Sequence, residues 1–261
     1  MKTNRFFNFK RFYRLLSYDL RMNGKRYLSF LAGGIVIFYL ILLIGMINLS
    51  SNFGYNNYIL LFSLSLLGLE FFTGSAFPEL SNKIKTGNYL LLPASTFEKT
   101  ASQILTYVVF GSIFFLLIFW VDAYLAKRTI LHIYPERLEA TIVNFRYLEM
   151  LKAMPTLSIG DKYQIAMSAV FDVSFLFTAR LFFKRFAVVK SFIALLAVKF
   201  VHSCYMVLFS HVFYPGITNT RLPIYDLTSG ISNIDFYYRL FYSLWIFFLP
   251  LAYYKLKEKQ V

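Results

Sequence analysis

The sequence predicts an all-α membrane protein with six transmembrane helices, preceded by an N-terminal amphipathic interfacial helix. Hydrophobic residues make up 58% and charged residues 15% of the 261 residues, whereas soluble domains have about 45–50% apolar and about 25% charged residues. Apolar runs of the roughly 20 residues that a spanning helix needs recur along the chain. The same composition excludes a soluble enzyme, and 31 Phe and 20 Tyr exclude a disordered chain.

Residues 1–26 predict a cytoplasmic amphipathic helix lying in the membrane interface. Aromatic and aliphatic residues recur at helical spacing, and basic residues lie mostly off that face, as is typical of interfacial helices. We expect Asn23 and Gly24 to end this helix before the first span. The apolar face comprises Phe9, Phe12, Tyr13, Leu16 and Leu20.

The remainder, residues 27–261, forms the predicted six-span transmembrane domain. Each span is assigned to a run of mostly apolar residues long enough to cross the hydrocarbon core. Residues 127–163 and 214–235 are predicted to be outer loops, the first with a short surface helix near 137–154. The predicted spans are residues 27–49, 58–77, 102–126, 164–183, 187–213 and 236–254.

The distribution of positive charge predicts the orientation of these spans. With six spans, 18 of the 27 basic residues fall on one side of the membrane. Because Lys and Arg collect on the cytoplasmic side, both termini are predicted to be cytoplasmic, in a multi-pass protein of the inner membrane. The net charge of +14 is therefore assigned to membrane topology, and no nucleic-acid partner is expected.

The cytoplasmic loop at residues 78–101 carries the most informative pattern. A basic stretch leads to a predicted turn at Thr86-Gly87-Asn88, followed by an apolar run that ends at Pro93. Ser95 and Glu98 have the spacing of a capping box, which predicts the start of the helix leading into the third span. The loop thus exposes a short apolar segment, and such surfaces usually bind a partner.

This loop resembles the coupling segment of type-2 ABC transporter permeases. The resemblance rests on a charged stretch, Thr86-Gly87, the Leu run, Pro93 and Ser95 placed after a second span, together with the basic helix before the first span. It implies a six-span permease subunit that pairs with a second permease subunit, identical or different, and docks on a separate ATPase.

By this resemblance the chain moves an unknown substrate, by export, while a P-loop ATPase partner hydrolyses ATP. The sequence contains no G-x-x-x-x-G-K-[ST] motif, so we expect no catalytic residue, metal or cofactor in this chain, with ATP and Mg²⁺ bound by the partner. Membrane lipid is the remaining expected partner. The residues expected at or near the ATPase contact are Glu79, Lys83, Lys85, Gly87, Leu91, Pro93, Ser95 and Glu98.

Four ionisable residues lie deep inside predicted spans: Glu70, Asp172, Lys199 and His202. Intramembrane charges are costly and are functional candidates by default. At about 1.5 Å per residue, Asp172 and Lys199 both lie about 12 Å from the outer face, so we predict that they form an ion pair. This pair either holds the bundle together or lines a substrate path. Asp122, near the outer end of the third span, is interpreted as interfacial.

Three other functions compete with the permease. An intramembrane enzyme is disfavoured because no HExxH or G-x-S-x-G motif occurs. A secondary transporter would normally show more spans or an inverted repeat. A non-catalytic structural subunit of another membrane complex stays open. Dependence on a separate ATPase distinguishes the permease from all three.

Overall fold

Most of the residues that the structure describes are helical. In this computed structural model the described residues are 7–48, 53–81, 83–134, 142–152, 159–183, 186–213 and 240–259. The helices are α1 (Phe9–Asn48), α2 (Tyr55–Gly74), α3 (Lys83–Leu91), α4 (Thr96–Gln103), α5 (Gly111–Ile133), α6 (Tyr147–Lys152), α7 (Ile159–Ala179), α8 (Ala187–Phe213) and α9 (Trp245–Glu258).

Among the residues that the structure describes, four helices are long and apolar enough to cross a membrane, which indicates a multi-pass membrane protein. They are Phe9–Asn48, Tyr55–Gly74, Thr96–Ile133 and Ala187–Leu208. The predicted fifth span has the same bounds as α8. The predicted fourth and sixth spans correspond to α7 and to the region of α9. The apolar helix within α7, Ala166–Ala179, is shorter than the four spanning helices, so six spans stays a prediction.

The predicted end of the first helix at Asn23-Gly24 is wrong, because α1 is one helix of 40 residues. The side chain of Asn23 does not cap a helix end but hydrogen-bonds Asp19 and Glu79. An isolated Gly costs a helix only about 1 kcal/mol, which the packing of α1 against α4 and α5 offsets. The basic stretch is therefore the first part of a continuous helix.

The predicted apolar face of this stretch lies on the outside of the bundle. Phe9 and Tyr13 are 72% and 63% exposed, whereas the protein-facing side presents Leu15 and Asp19, at 6% and 3%. The part of α1 that packs on the bundle therefore includes a buried carboxylate.

The helix after α3 runs without a break from Thr96 to Ile133, but its turns widen over Ile104–Phe110, which form a π-helix. Such segments are rare and often lie at functional sites. Gly111 follows at once, and a Cβ there would lie 2.8 Å from the ring of Phe72. Only glycine lets α2 approach the helix this closely, so α2 and α5 pack tightly beside the π segment.

The end of the bundle opposite α3 is closed by an apolar cluster and by backbone contacts. Phe53 pairs with Ile142 in an isolated bridge. The buried ammonium of Lys127 donates to the carbonyl of Ile142 (2.7 Å) and to the side-chain oxygen of Asn144 (2.9 Å). Within the described residues, the short helix predicted near 137–154 is present as α6. The predicted outer loop at 214–235 lies outside the described residues.

Candidate functional site

The segment that links α2 to α4 begins with a strained turn. Phe77 is fully buried and has a φ of 53°, an outlier for a bulky residue that costs about 1–3 kcal/mol. Its backbone N–H donates to Oε1 of Gln103 on α4 (3.0 Å). Its ring contacts that of Phe177 on α7, with centroids 5.2 Å apart. These contacts hold the turn in place.

Two guanidinium groups fix the backbone just before this turn. Arg26 of α1 donates from Nη2 to the carbonyl of Ser75 (3.2 Å). Arg180, which directly follows α7, donates from Nε to the carbonyl of Ala76 (3.2 Å). The start of the segment is therefore attached to α1, α4 and the end of α7.

A hydrogen-bond network that we call the α1 junction connects α1 to the segment through Asp19, Asn23, Glu79 and Gln103. The Asn23 amide donates to Oδ1 of Asp19 (2.6 Å) and to Oε1 of Glu79 (2.5 Å). Oδ2 of Asp19 accepts from the hydroxyl of Tyr27 (2.8 Å) and from Nε2 of Gln103 (3.3 Å). One amide thus joins two carboxylates from different elements.

Burial raises the pKa of Glu79 above its ordinary value. The hydrogen bond from Asn23 acts in the opposite direction, and the negative charge of Asp19 raises the pKa further. Oε2 of Glu79 is buried and accepts no hydrogen bond from the part of the chain that the structure describes. The protonated form of Glu79 is therefore favoured by its surroundings.

The predicted turn at Thr86-Gly87-Asn88 is wrong, because these residues lie in the middle of α3. Tertiary contacts override the local turn signal. The hydroxyl of Thr86 donates to the carbonyl of Glu79 (3.1 Å). At the other end, the buried Lys99 ammonium donates to the carbonyl of Leu90 (2.8 Å), where a cation also interacts favourably with the helix dipole.

One face of α3 is exposed and largely apolar. Ile84 is 75% exposed and Leu91 is 83% exposed. Gly87 and Asn88, which are also exposed, lie between them at positions that share a helix face. A Cβ added at Gly87 would meet no atom within 4 Å. The opposite side of α3 is anchored by Tyr89, which is 3% exposed.

The capping box predicted for Ser95 and Glu98 is confirmed. The hydroxyl of Ser95 accepts from the N–H of Glu98 (3.1 Å), and Oε2 of Glu98 accepts from the N–H of Ser95 (2.8 Å). The other carboxylate oxygen binds the start of α1, accepting from the N–H of Asn8 (2.6 Å) and from Nη2 of Arg11 (2.9 Å). We call Asn8, Arg11, Ser95 and Glu98 the Glu98 clamp.

The residues predicted to contact an ATPase separate into two groups. Gly87, Leu91 and Pro93 are exposed, whereas Glu79 and Glu98 face the protein and bind α1. Ser95 is half-buried in the capping box. The side chains of Lys83 and Lys85 lie outside the described residues.

Sequence reasoning missed the partners of these two inward-facing carboxylates. The sequence predicts a helix stop at Asn23, and the eight basic residues of the N-terminal 26 carry no mark that singles out Arg11. Its position three residues after Asn8, whose side chain caps α1, is a signal that could have been used. The exposed Ile84 could have been found from its helical spacing to Leu91.

The predicted contact between Asp172 and Lys199 is present. Nζ of Lys199 on α8 lies 2.5 Å from Oδ2 of Asp172 on α7. The Asp172 side chain is 6% exposed and that of Lys199 is 34% exposed. Glu70 of α2 is half-buried and lies close enough for both charges to act on it. We call Glu70, Asp172 and Lys199 the intramembrane cluster.

His202 lies beside this cluster rather than in it. Its ring stacks on that of Phe241, with centroids 3.7 Å apart and the planes within 8° of parallel. It also lines an apolar groove of about 430 Å³ on α8. The remaining residues that line the groove are Ala197, Val198, Val201, Tyr205 and Phe241.

Asp122 is fully enclosed in the bundle, although the sequence suggested an interfacial position. It is 1% exposed, and neither carboxylate oxygen is hydrogen-bonded to any residue that the structure describes. Its face of α5, shared with Phe119 and Ala126, belongs to the closely packed contact with α1 and α2. Proximity to Trp120 was thus a poor guide to its surroundings.

The segment around α3 is anchored by hydrogen bonds, and the intramembrane cluster contains an ion pair. Over the residues with a described position, no group of three or more His, Cys, Asp or Glu could hold a metal ion. The α3 segment offers an apolar surface on one side and fixed hydrogen bonds on the other. Comparisons of the chain with protein-family models, with curated proteins and with solved structures gave no match.

Proposed function

We propose that this chain is the permease subunit of an ATP-driven exporter of the type-2 ABC class, driven by a P-loop ATPase on a separate chain. One observation carries the proposal. The helix between the second and third long apolar helices exposes an apolar face, while its other side is attached to the bundle. Exposed apolar surfaces of this kind mark interaction sites.

The attachment of α3 supports a role in transmitting force. Thr86 connects α3 to Glu79, and Glu79 connects through Asn23 to α1. Lys99 connects the other end of α3 to α4, which continues into α5. A partner that moves α3 therefore acts on two of the long apolar helices at once, which is the requirement for coupling ATP hydrolysis to substrate movement.

The proposed docking face consists of exposed residues of α3 and of the segment that follows it. It comprises Ile84, Gly87, Asn88, Leu91 and Pro93, which we call the α3 face. In this proposal, the inward-facing residues of the coupling segment attach it to the bundle. They are Glu79, Ser95 and Glu98. Lys83 and Lys85 remain proposed contacts on the basis of the sequence alone.

The same proposal includes the membrane arrangement. Residues 164–183 and 236–254 supply the fourth and sixth spans, both termini lie in the cytoplasm of a cell with an inner membrane, and two permease subunits form a dimer. The exposed Phe9, Tyr13 and Leu20 support contact of the first turns of α1 with lipid headgroups, as for an interfacial helix. ATP and Mg²⁺ are bound by the partner ATPase.

The test is affinity purification of the tagged full-length chain in gentle detergent from cells that express the neighbouring genes, with mass spectrometry and an ATPase assay on the eluate. We expect a P-loop ATPase with wild type and at least a tenfold loss with Ile84→Asp plus Leu91→Asp. Leu148→Asp on α6 is the matched control, because Leu148 is 73% exposed and distant from α3.

Two outcomes would overturn the proposal. One is the absence of any P-loop ATPase from the wild-type eluate under these conditions, which would favour a structural subunit or a secondary transporter. The other is an ATPase that remains bound to the α3 variant as strongly as to Leu148→Asp, since the docking face would then lie elsewhere.

A further inference from the structure

The basic residues of α1 divide into two groups according to the side of the helix on which they lie. Arg11 and Arg26 face the bundle, where their guanidinium groups donate to Glu98 (2.9 Å) and to the carbonyl of Ser75 (3.2 Å). Four others are exposed, and none of these forms an ion pair within the part of the chain that the structure describes. Their charge is therefore accessible to a molecule outside the chain. They are Lys10, Arg14, Arg21 and Lys25.

These four exposed cations form one stripe along the helix, which we call the α1 stripe. At about 100° per residue, their positions fall within a sector of about 60° around the helix axis. The stripe points away from the segment that precedes α3. Asn23, which donates to Glu79 in that segment, lies about 160° around the axis from both Arg21 and Lys25. The stripe is therefore separate from the contacts of α1 with the coupling segment.

The α1 stripe continues into an exposed apolar side of the same helix. Leu28, three residues after Lys25, is 67% exposed, and Ile35, which lies on the same side about two turns later, is 38% exposed. Both belong to the apolar part of a helix that is long enough to cross a membrane. In the membrane arrangement proposed above, these side chains face acyl chains. A lipid that packs on them brings its headgroup to the stripe.

Arg21 and Lys25 lie at the depth of the headgroups. Along the helix they are about 9 and 3 Å from Tyr27, where the predicted first span begins. The contact of Arg26 with the carbonyl of Ser75, directly after α2, places the end of a second spanning helix at this level. The headgroup region extends about 5–8 Å beyond the hydrocarbon core, and long basic side chains bend toward it. Because the two residues are neighbours on one helix face, both cations can contact one phosphate.

Charge and position together favour an anionic phospholipid as the occupant. Exposed cations next to a membrane attract negatively charged headgroups more strongly than zwitterionic ones, and Arg and Lys bind phosphate oxygens through charge-assisted hydrogen bonds. An acidic protein would also complement the charge. However, it would leave the adjoining apolar side at Leu28 uncovered, whereas a phospholipid covers both with one molecule.

We propose that Arg21 and Lys25 bind the phosphate of an anionic phospholipid in the cytoplasmic leaflet, with an acyl chain along Leu28 and Ile35. The leaflet rests on the membrane orientation given in the proposed function, but the binding requires no ATPase. The site is distinct from the exposed rings in the first turns of α1, because it recognises charge at a defined place. Asn23 lies in the same turns on the opposite side, so the bound lipid fixes the part of α1 that holds the coupling segment.

The test is a titration of the purified full-length chain in neutral detergent micelles with phosphatidylglycerol or phosphatidylcholine, in which native mass spectrometry measures the bound lipid. We expect wild type to bind phosphatidylglycerol at least tenfold more tightly than phosphatidylcholine. Arg21→Gln plus Lys25→Gln should weaken phosphatidylglycerol binding at least tenfold and leave phosphatidylcholine binding unchanged, since each basic residue near anionic lipid contributes about fivefold. Micelles have no leaflets, so the result does not depend on the orientation of the chain.

The matched control is Arg146→Gln plus Lys152→Gln. Both residues are exposed and lie at the opposite end of the bundle, and the variant loses the same two charges, so it should bind phosphatidylglycerol as wild type does. Melting temperatures in detergent identify variants that do not fold. Arg21→Lys, which keeps the charge and changes the packing, should bind within about threefold of wild type.

Three results would overturn the proposal. Equal affinity of wild type for the two lipids would remove the preference for negative charge. An equal loss in the control variant would reduce the effect to net charge, without a site at Arg21 and Lys25. Displacement of the lipid by glycerol phosphate at equal concentration would identify a soluble phosphate compound as the ligand.

The outcome is independent of ATPase capture. Lipid binding that requires Arg21 and Lys25, without a captured ATPase, would support the site and remove the exporter. A captured ATPase with no preference for phosphatidylglycerol would do the reverse. If the Gln variant at these two positions bound phosphatidylglycerol as wild type does but lost a captured ATPase, the occupant of the α1 stripe would be an acidic protein and the proposal would be wrong.

Discussion

The Glu98 clamp and the intramembrane cluster both bury carboxylates, but they satisfy them differently. The carboxylate of Glu98 accepts from two backbone N–H groups and from the guanidinium of Arg11. In the cluster, Oδ2 of Asp172 accepts from the ammonium of Lys199, and Oδ1 of Asp172 accepts no hydrogen bond from the described residues. Among the residues that the structure describes, the first arrangement is complete, whereas the second is not.

This difference separates a fully paired carboxylate from a partly paired one. The Glu98 carboxylate has donors on both oxygens, and these hydrogen bonds attach α1 to α4. At Asp172, Oδ1 keeps an acceptor that no described residue uses.

The largest effect is expected from removing the anchor of the Glu98 clamp. Glu98→Ala deletes the acceptor for Arg11, Asn8 and the Ser95 backbone, and we expect it to lower the unfolding free energy by about 2–4 kcal/mol. The apparent melting temperature in detergent should fall by roughly 5–10 °C. Glu149→Ala, whose exposed pair with Lys152 is worth about 0–1 kcal/mol, is the control. A loss no larger than the control's would mean that the clamp does not hold α1.

A smaller effect is expected from the intramembrane ion pair. Lys199→Met leaves the buried Asp172 without its ammonium, and we expect a loss of about 1–3 kcal/mol, below the usual figure for buried pairs because Lys199 is partly exposed. Adding Asp172→Asn should recover much of the loss, because the variant then has no unpaired charge. Yield and thermal stability of the single and double variants measure this. A double variant no better than the single one would contradict the pairing.

A pH-dependent effect is expected at the α1 junction. Because burial raises the pKa of Glu79 above about 4.5, the stability that Glu79 contributes is present at low pH and is lost as the pH rises through the raised value. Glu79→Gln removes this loss while keeping an acceptor for Asn23. The variant should therefore exceed wild type in melting temperature by about 2–4 °C at pH 8, with a smaller difference at pH 5. A difference that shrinks as the pH rises would show the opposite sign of pKa shift.

The smallest effect is expected from Gly87 on the α3 face. Gly87→Ala improves helix propensity in a position with open space around it, so it should stabilise the chain by about 0.4–1 kcal/mol. If the ATPase approaches α3 closely, the same change should weaken ATPase capture although the chain is more stable. Melting temperature and captured ATPase are measured side by side, and capture that increases with stability would exclude close approach at Gly87.

The sequence was sufficient for features that depend on spacing along one or two helices. Counting residues along the two predicted spans places Asp172 and Lys199 at the same depth and predicts their ion pair. The structure contains this pair. The spacing of Ser95 and Glu98 identified a capping box that is present. Both follow from helix geometry alone, so no knowledge of the packing was needed.

The features that failed depend on contacts between distant segments. The helix stop predicted at Asn23-Gly24 rests on local residue preferences. In the structure, the amide of Asn23 donates hydrogen bonds to Asp19 and Glu79 instead of capping a helix end. The turn at Gly87 was also a local signal, and it is overridden by the contact between Lys99 and the carbonyl of Leu90. Tertiary hydrogen bonds of this kind exceed the roughly 1 kcal/mol that separates glycine from alanine in a helix, and a single sequence does not reveal them.

The continuity of α1 has a mechanical consequence. A helix of 40 residues is about 60 Å long, and it packs along α5. If it moves as a rigid body, a tilt of about 10° around the midpoint displaces each end by about 5 Å, in opposite directions, given that length. The Glu98 clamp and the α1 junction contact the half of α1 nearer α3. A displacement of a few ångströms there would then produce an opposite displacement of equal size near Met46, where α1 meets the apolar cluster at the far end of the bundle.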